Sequence, residues 1–207
     1  MPITNHPIQD DVWLIVLAAG QATRMGRPKM LLPIHGEELL RGVVKKALTA
    51  MKNVVVVLRR EGAGEEDVIS DLPVRILYPD QRLPLMSDSL KTAIHFCQEE
   101  GASAVIIVLG DQPGIDPNVI RQIREAYQTS QSLIIQANYW DGPSHPILFD
   151  RHFFGELLQV DGDQGAREIV KRYRSKRRFV SCYQNQPKDL DTLDDYETYL
   201  RQEINKG

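Results

Sequence analysis

The 207 residues are 42% apolar and 26% charged, enough apolar material for one packed domain spanning 1–207 and too much for a disordered chain. A formal net charge of -3 at pH 7 excludes global attraction to nucleic acid or to an anionic membrane, so any phosphate site must be a local cluster of cations. The two cysteines, Cys97 and Cys182, lack metal-ligand spacing and read as reduced thiols of a cytoplasmic protein, and the apolar run 12–19 is too short for a membrane span or a secretory signal.

In chain order, residues 12–18 (Val-Trp-Leu-Ile-Val-Leu-Ala) form a continuous apolar run ahead of Gly20, which predicts a parallel strand buried on both faces. Residues 37–51 set Leu39, Leu40, Val43, Val44, Ala47 and Leu48 at helical spacing, with Arg41, Lys45 and Lys46 opposite. A strand at 54–58, a short helix at 65–70, a strand at 74–78, a helix at 87–98 and a buried strand at 104–109 follow. This alternation predicts right-handed crossovers and an α/β, Rossmann-like fold, its mostly parallel sheet covered by helices on both faces. A strand order of 3-2-1-4 would put Gly20 and Asp111 on either side of the switch point. Beyond Asp111 the order loosens: helix 117–127, strand 133–137, a loop through Gly142-Pro143-Ser144, strand 145–149, helices 151–158 and 164–173, a strand near 179–183 and a final helix 193–204.

The loop after the first strand reads Leu17-Ala18-Ala19-Gly20-Gln21-Ala22-Thr23-Arg24-Met25-Gly26-Arg27-Pro28-Lys29. It is not a Walker A loop, because five residues separate Gly20 from Gly26 and Arg27 follows. Nor is it G-x-G-x-x-G, because Ala22 stands at the second glycine. Its glycines let backbone N–H groups face an anion, while Arg24 and Lys29 supply a fork and a point charge for a polyphosphate. The competing reading, a merely solubilising loop, suits an isolated cation better than three behind a buried strand.

The strand 104–109 runs into Gly110-Asp111-Gln112-Pro113, which places a carboxylate at the carboxyl end of a central strand, where open α/β sheets bind ligands. Mg²⁺ takes one or two carboxylates together with substrate phosphates, so Asp111 is the first candidate ligand. A turn aspartate capping the next helix is the alternative.

Together the two loops resemble the signature L-A-x-G-x-x-x-R-M-G-x-x-K-x-L-L and the Gly-Asp-Gln-Pro motif of the MobA/MocA-like nucleotidyltransferases, a resemblance covering most of the chain. It implies a nucleotide-diphospho-sugar-transferase-like fold, with Leu17, Ala18, Ala19 and Gly20 at the base and ribose. Arg24 and Lys29 would hold the β- and γ-phosphates, and Asp111 the Mg²⁺. Leu-Ala-Ala-Gly is nearer the cytidylyltransferase branch, so the resemblance points to CTP rather than GTP; Ala22 departs from the family's Gly or Ser. Leu85-Met-Ser87-Asp-Ser89-Leu90 is similar to the family's Gly-Met-Ser-x-Ser-Leu segment, implying nucleotide contact by Ser89 above Ser87, whose hydroxyl also suits an N-cap. Gly142-Pro-Ser-His145-Pro146 and Gly162-Asp163-Gln-Gly165-Ala-Arg167 are similar to acceptor-side segments, implying acceptor contact by His145 and Arg167; Asp163 could cap the helix at Gln164, and Arg167 could instead pair with an acid. Asp189-Leu-Asp191-Thr-Leu-Asp194-Asp195 resembles the family's C-terminal acidic segment, with Thr192 and Asp194 as helix caps and Asp191 as a second metal candidate.

The implied reaction is transfer of CMP from CTP, or of another NTP's monophosphate, to molybdopterin or a similar phosphorylated acceptor, with release of pyrophosphate. No His-Asp or Ser-His arrangement is evident, and an ionised phosphate nucleophile needs none. The alternatives are a nucleotidyltransferase for a sugar phosphate or other phosphorylated alcohol, and a non-catalytic nucleotide- or cofactor-binding factor that serves a molybdoenzyme client.

Overall fold

A computed structural model of the protein describes residues 11–20 and 28–204. Its main sheet has seven strands: β1 (Val12–Leu17), β4 (Val54–Val57), β5 (Arg75–Leu77), β6 (Ala104–Leu109), β7 (Ile134–Tyr139), β8 (Gly142–Asp150) and β9 (Arg177–Ser181). They lie in the order β5-β4-β1-β6-β8-β7-β9. The first four strands in the chain that enter this sheet therefore keep the expected 3-2-1-4 order, and β8 alone runs against its neighbours β6 and β7. The chain leaves β1 toward one side and comes back to β6 on the other, so a crevice opens at the carboxyl ends of these adjacent strands.

Continuous apolar runs make these strands central. Leu14, Val16, Val56, Ile106 and Val108 face α1 (Leu39–Ala50) and α3 (Pro117–Gln128), while Ile15, Val55, Val57, Val105 and Ile107 face α2 (Met86–Glu99), α4 (Phe154–Leu157) and α5 (Arg167–Arg172). Alternate side chains of each strand thus enter two separate cores, one on each face. The last helix, α6 (Leu193–Ile204), adds Tyr196 and Tyr199 to the first core. No helix among the described residues is long and apolar enough to cross a membrane.

Several boundaries differ from expectation for local reasons. A small hairpin, β2 (Pro33–Ile34) with β3 (Glu37–Glu38), precedes α1, which starts at Leu39 rather than residue 37. Its two-residue turn needs positive φ at both positions, met by His35 at 52° and Gly36 at 82°. The segment 65–70 contains only a 3-10 turn, Asp67–Ile69, and the helix expected at 151–158 divides into a 3-10 turn, Arg151–Phe153, and the short α4. The helix expected from residue 164 begins at Arg167, because Gly165, at φ 52°, breaks it from the 3-10 turn Gly162–Gln164.

The loop expected at Gly142-Pro143-Ser144 is the start of β8, paired with Ala137 to Tyr139. Between Gln136 and Ala137 the register shifts, so the partners of consecutive β7 residues jump from Ile147 to Ser144 and His145-Pro146 bulges from the ladder. Proline has no N–H to give a neighbouring strand, and a bulge accommodates it. β9 starts two residues before the expected 179, since an edge strand tolerates Arg177 and Arg178 where an apolar criterion rejects them.

Candidate active site

β1 delivers Leu17 to Gly20 to the crevice. The N–H of Ala18 donates to the Val57 carbonyl at 3.0 Å, so the ladder's direction continues one residue past the strand. Beside it, β6 ends in Gly110, whose N–H donates to the Leu17 carbonyl at 2.9 Å. A Cβ on Gly110 would come within 2.8 Å of the Ala18 Cβ and 3.2 Å of the Leu17 oxygen, so only glycine permits this approach. Gly110→Ala should cost roughly 1–3 kcal/mol of stability by overpacking, lowering Tm in a thermal melt by roughly 2–4 °C per kcal/mol for a chain of this size. An unchanged Tm would show that β1 and β6 part without strain.

Lys29 opens a 3-10 turn, Lys29–Leu31, closed by Leu31 N–H to the Pro28 carbonyl and Leu32 N–H to the Lys29 carbonyl, both at 3.1 Å. The turn buries the lysine stem and aims its ammonium across the crevice. Lys29 Nζ donates to Asp111 Oδ2 at 2.8 Å and to Asp191 Oδ1 at 3.0 Å. Burial works to lower the Lys29 pKa, but the Asp111 charge and hydrogen bond, reinforced by Asp191, outweigh it and the net direction is up.

Asp111 does not cap the following helix. That place is taken by Asp116, whose carboxylate accepts from Asn118 N–H at 2.8 Å ahead of Pro117. The acidic segment near the C-terminus is instead tied directly to the Asp111 loop. Leu190 N–H donates to the Asp111 carbonyl at 3.1 Å, and Gln112 Nε2 donates to Asp189 Oδ1 at 2.7 Å. Burial pushes the Asp189 carboxyl up, with its Gln112 bond opposing and Asp111 and Asp191 adding to the rise.

Helix α6 is capped by Thr192 with Asp195, not Asp194: Thr192 N–H and Oγ1 donate to Asp195 Oδ2 at 2.8 and 2.7 Å, and Asp195 N–H donates back to Thr192 Oγ1 at 3.1 Å. The reciprocal pair needs the acid three residues after the threonine, and Asp194 is one residue short. Asp191 is thereby left outside the cap and points toward Lys29.

Two cavities meet at this crevice. One, of about 470 Å³, is lined by Leu17, Ala19, Gly20, Lys29, Ser89, Asp111 and Asp191, together with Asp163. The second, of about 830 Å³, is lined by His145 and Arg167 among others. Leu17, Met86, Leu109 and Asp191 border both, so a ligand in each would touch at that junction. Ala18 lines neither, because its side chain turns into the core facing α1. Arg24, with Gly26 and Arg27, lies outside the described residues.

The two serines part as their helix positions dictate. Ser89 lines the smaller cavity and donates to the Leu85 carbonyl at 3.3 Å. Ser87 is wholly buried inside α2 and is not its cap. Asp163 does not cap a helix at Gln164; its Oδ1 accepts from Met86 N–H at 3.4 Å, fastening the 162–165 turn to the start of α2.

His145 is partly buried beside Arg167, and burial, then the Arg167 charge, takes its pKa from 6.5 down to about 4. The imidazole is therefore neutral at pH 7. A base with a folded pKa below its unfolded value leaves the unfolded chain binding more protons between the two, so stability is full above 6.5 and falls as pH drops toward 4. Over that window His145 should account for up to about 3 kcal/mol, read as the difference in urea-unfolding free energy between the native chain and His145→Gln. Equal pH profiles for the two would contradict the shift.

A His–Asp contact does exist, between His152 Nδ1 and Asp150 Oδ1. It sits at the opposite end of β6 from Asp111, since Asp150 pairs with Ala104. It has no part in the crevice.

Asp111 and Asp191 suit a divalent cation: both carboxylates reach one nitrogen, and Asp111 Oδ1 is buried without a hydrogen-bond partner among the described residues. Those residues contain no group of three or more His, Cys, Asp or Glu side chains placed to hold a metal. Two hard oxygen donors completed by phosphate oxygens and water match the preference of Mg²⁺.

Residues 14–177 match the MobA-like NTP transferase domain. The chain belongs to the MobA-like NTP transferases. This nucleotidyltransferase is 26% identical over 192 residues to the purine catabolism protein PucB of Bacillus subtilis (strain 168), a match that covers 89% of this chain and 90% of PucB. It superposes with a TM-score of 0.83 and 29% identity on the Mycobacterium tuberculosis Rv0371c homolog from Mycobacterium sp. strain JC1, covering 97% of this chain and 100% of that one. Rv0371c of M. tuberculosis H37Rv in complex with manganese gives a TM-score of 0.77 at 27% identity, over 92% of this chain and 98% of the other. The mostly parallel sheet and its helix-covered faces are those of the nucleotidyltransferase fold.

Sequence reasoning gave Asp189 no role of its own, read Asp163 only as a helix cap, and passed over the cations that line the larger cavity, Lys171, Arg174, Arg177 and Lys188. The basic run from Lys171 to Arg178 was the available signal.

Proposed function

We propose that this nucleotidyltransferase moves CMP from CTP to the terminal phosphate of a molybdopterin-type acceptor, with Mg²⁺ held by Asp111 and Asp191. The observation that carries the reading is the ion cluster of Lys29 with Asp111 and Asp191, which lines the smaller cavity and reaches its junction with the larger one at Asp191. CTP takes the smaller cavity, its base and ribose against Leu17, Ala19, Gly20 and Ser89. The acceptor takes the larger one, beside His145 and Arg167. The manganese complex of Rv0371c supports the use of a divalent cation.

In the reaction an oxygen of the acceptor phosphate forms a bond to the α-phosphorus of CTP. The bond from that phosphorus to the α,β-bridging oxygen breaks, and pyrophosphate leaves with the electron pair. A phosphate monoester has its second pKa at about 6, so the nucleophile is ionised at neutral pH without a general base. Neutral His145 then contributes hydrogen bonding rather than charge. Mg²⁺, when bound, neutralises charge on the phosphates. Lys29, released from the carboxylates by the incoming triphosphate, stabilises the leaving pyrophosphate, and Arg24 is assigned the same task.

Base choice rests on Ala19, which lines the smaller cavity. The test is competition between CTP and GTP in the presence of Mg²⁺ and molybdopterin, with pyrophosphate release and the nucleotide in the product as readouts. CTP should be preferred. Preference for GTP contradicts the cytidylyl assignment, and nucleotide binding without pyrophosphate release favours a non-catalytic carrier.

A further inference from the structure

The larger cavity extends along the sheet from the crevice to its edge. Its floor passes from Leu109 on β6 through Ile147 on β8 and Gln136 on β7 to Arg177 on β9. β9 is the third strand from β6, a lateral offset of about 14 Å at ordinary strand spacing, and through Ile134 and Phe149 Arg177 is level with Val105, four residues before Leu109 and about 13 Å further along the strands. Arg177 therefore stands at the opposite end of the cavity from Asp111 and Asp191.

Its surroundings are unusual for a partly buried cation. Arg177 Nη1 donates to Gln136 Oε1, and its guanidinium carbon lies 5.1 Å from the centre of the Phe179 ring. No carboxylate among the described residues pairs with it, and its Nε is buried without a partner there. Burial lowers its pKa from the usual arginine value. Asp141, which also lines the cavity, accepts from Gln186 N–H at 2.9 Å, and Asp189 is engaged by Gln112. A partly desolvated guanidinium left without an anion costs free energy unless a ligand satisfies it. Gln136 orients the fork, and Arg167, Lys171 and Arg174 line the same cavity.

We propose, building on the acceptor placement above, that Arg177 is a specificity residue whose guanidinium, oriented by Gln136, binds an oxyanion or carbonyl oxygen at the end of the acceptor remote from its phosphate. An acceptor whose phosphate meets the α-phosphorus at the crevice and whose far end reaches Arg177 must span at least roughly 10 Å, since the two offsets combine to about 19 Å between backbones and the arginine side chain covers only part of that. A hexose monophosphate is too short. A fused heterocycle with ring carbonyls, carried on a phosphorylated side chain, meets both ends. Arg177 thus selects extended, oxygen-bearing phosphomonoesters over compact ones.

The test is calorimetric binding of molybdopterin and of glucose 1-phosphate to the native protein, Arg177→Met and Arg177→Lys, with Tm recorded for each. Arg177→Met should weaken molybdopterin binding at least tenfold with little change in Tm, because relief of the desolvated charge offsets the lost Gln136 bond and Phe179 contact. Arg177→Lys should fall between, having charge without the fork. Equal molybdopterin affinity in the native protein and Arg177→Met overturns the assignment, as does a lowered Tm for Arg177→Met with affinity preserved in the folded fraction. Native protein that prefers glucose 1-phosphate, or binds neither compound, also overturns it. Arg177-dependent binding without CTP-dependent turnover would keep this subsite and sink the transferase reading of the previous section.

Discussion

Asp111→Asn should reduce kcat at saturating CTP and acceptor by roughly 10³-fold, the scale seen when a preorganised electrostatic group is removed from a reacting centre. The substitution keeps the shape of the side chain and removes its charge. Asn can still accept the 2.8 Å bond from Lys29, and Asp191 still faces that ammonium, so the loop geometry should survive. The backbone ties are untouched, since Leu190 N–H bonds the carbonyl of residue 111 and not its side chain. Circular dichroism and a thermal melt should therefore match the native chain while pyrophosphate release collapses. Normal metal-dependent turnover by this variant would remove Asp111 from the metal site.

Lys29→Met should have three linked effects because one ammonium serves two carboxylates. Pyrophosphate release should fall by roughly 10²–10³-fold as the leaving group loses a cation. The nucleotide-free protein should become less stable, by up to about 3 kcal/mol, since removing one member of a buried pair leaves the others uncompensated. The figure is kept low because Asp191 is half exposed, 53% by side chain, and water screens it. Third, Mn²⁺ should bind the nucleotide-free variant at least tenfold more tightly than the native protein, as followed by the paramagnetic resonance of free Mn²⁺. The ion takes the place that Lys29 holds between Asp111 and Asp191. Added Mn²⁺ should also recover much of the lost stability by mass action. Mn²⁺ affinity unchanged by the substitution would mean that the two acids do not share an ion.

How far the fold could be read from the chain depended on burial. β1, β4 and β6 are apolar on both faces, and a continuous run such as Val54 to Val57, set between helical segments, fits little except a strand covered on both sides. The edges were harder. β9 begins with two arginines, and the hairpin of β2 and β3 is only two residues per strand, too short for any periodicity. The start of β8 was hidden by Gly142 and Pro143, residues that ordinarily mark a loop, and only pairing with β7 holds them extended.

The site divides in the same way. Lys29 and Asp111 stand out locally, each behind a buried strand, and the fold brings them to 2.8 Å. Asp191 could be separated from its acidic neighbours only through the capping geometry, which occupies Asp195 and leaves Asp191 free to meet Lys29. The burial of Ser87 and the exposure of Ser89 to the cavity depend on the rotation of α2 against β1, which spacing alone does not determine. Arg177 was invisible for a different reason. It sits in a basic run that reads as a solvated face, and its meaning lies in having no carboxylate partner among the described residues.

The central claim is that the α-phosphate of CTP goes to the acceptor and the outer two leave together. It is tested most directly with CTP labelled at the α- or the γ-phosphate, incubated with Mg²⁺ and molybdopterin and separated by chromatography. The account predicts α-label in the acceptor product and γ-label in pyrophosphate, in equal amounts. Label released as inorganic phosphate, or α-label remaining in CTP while the acceptor is unchanged, would contradict it.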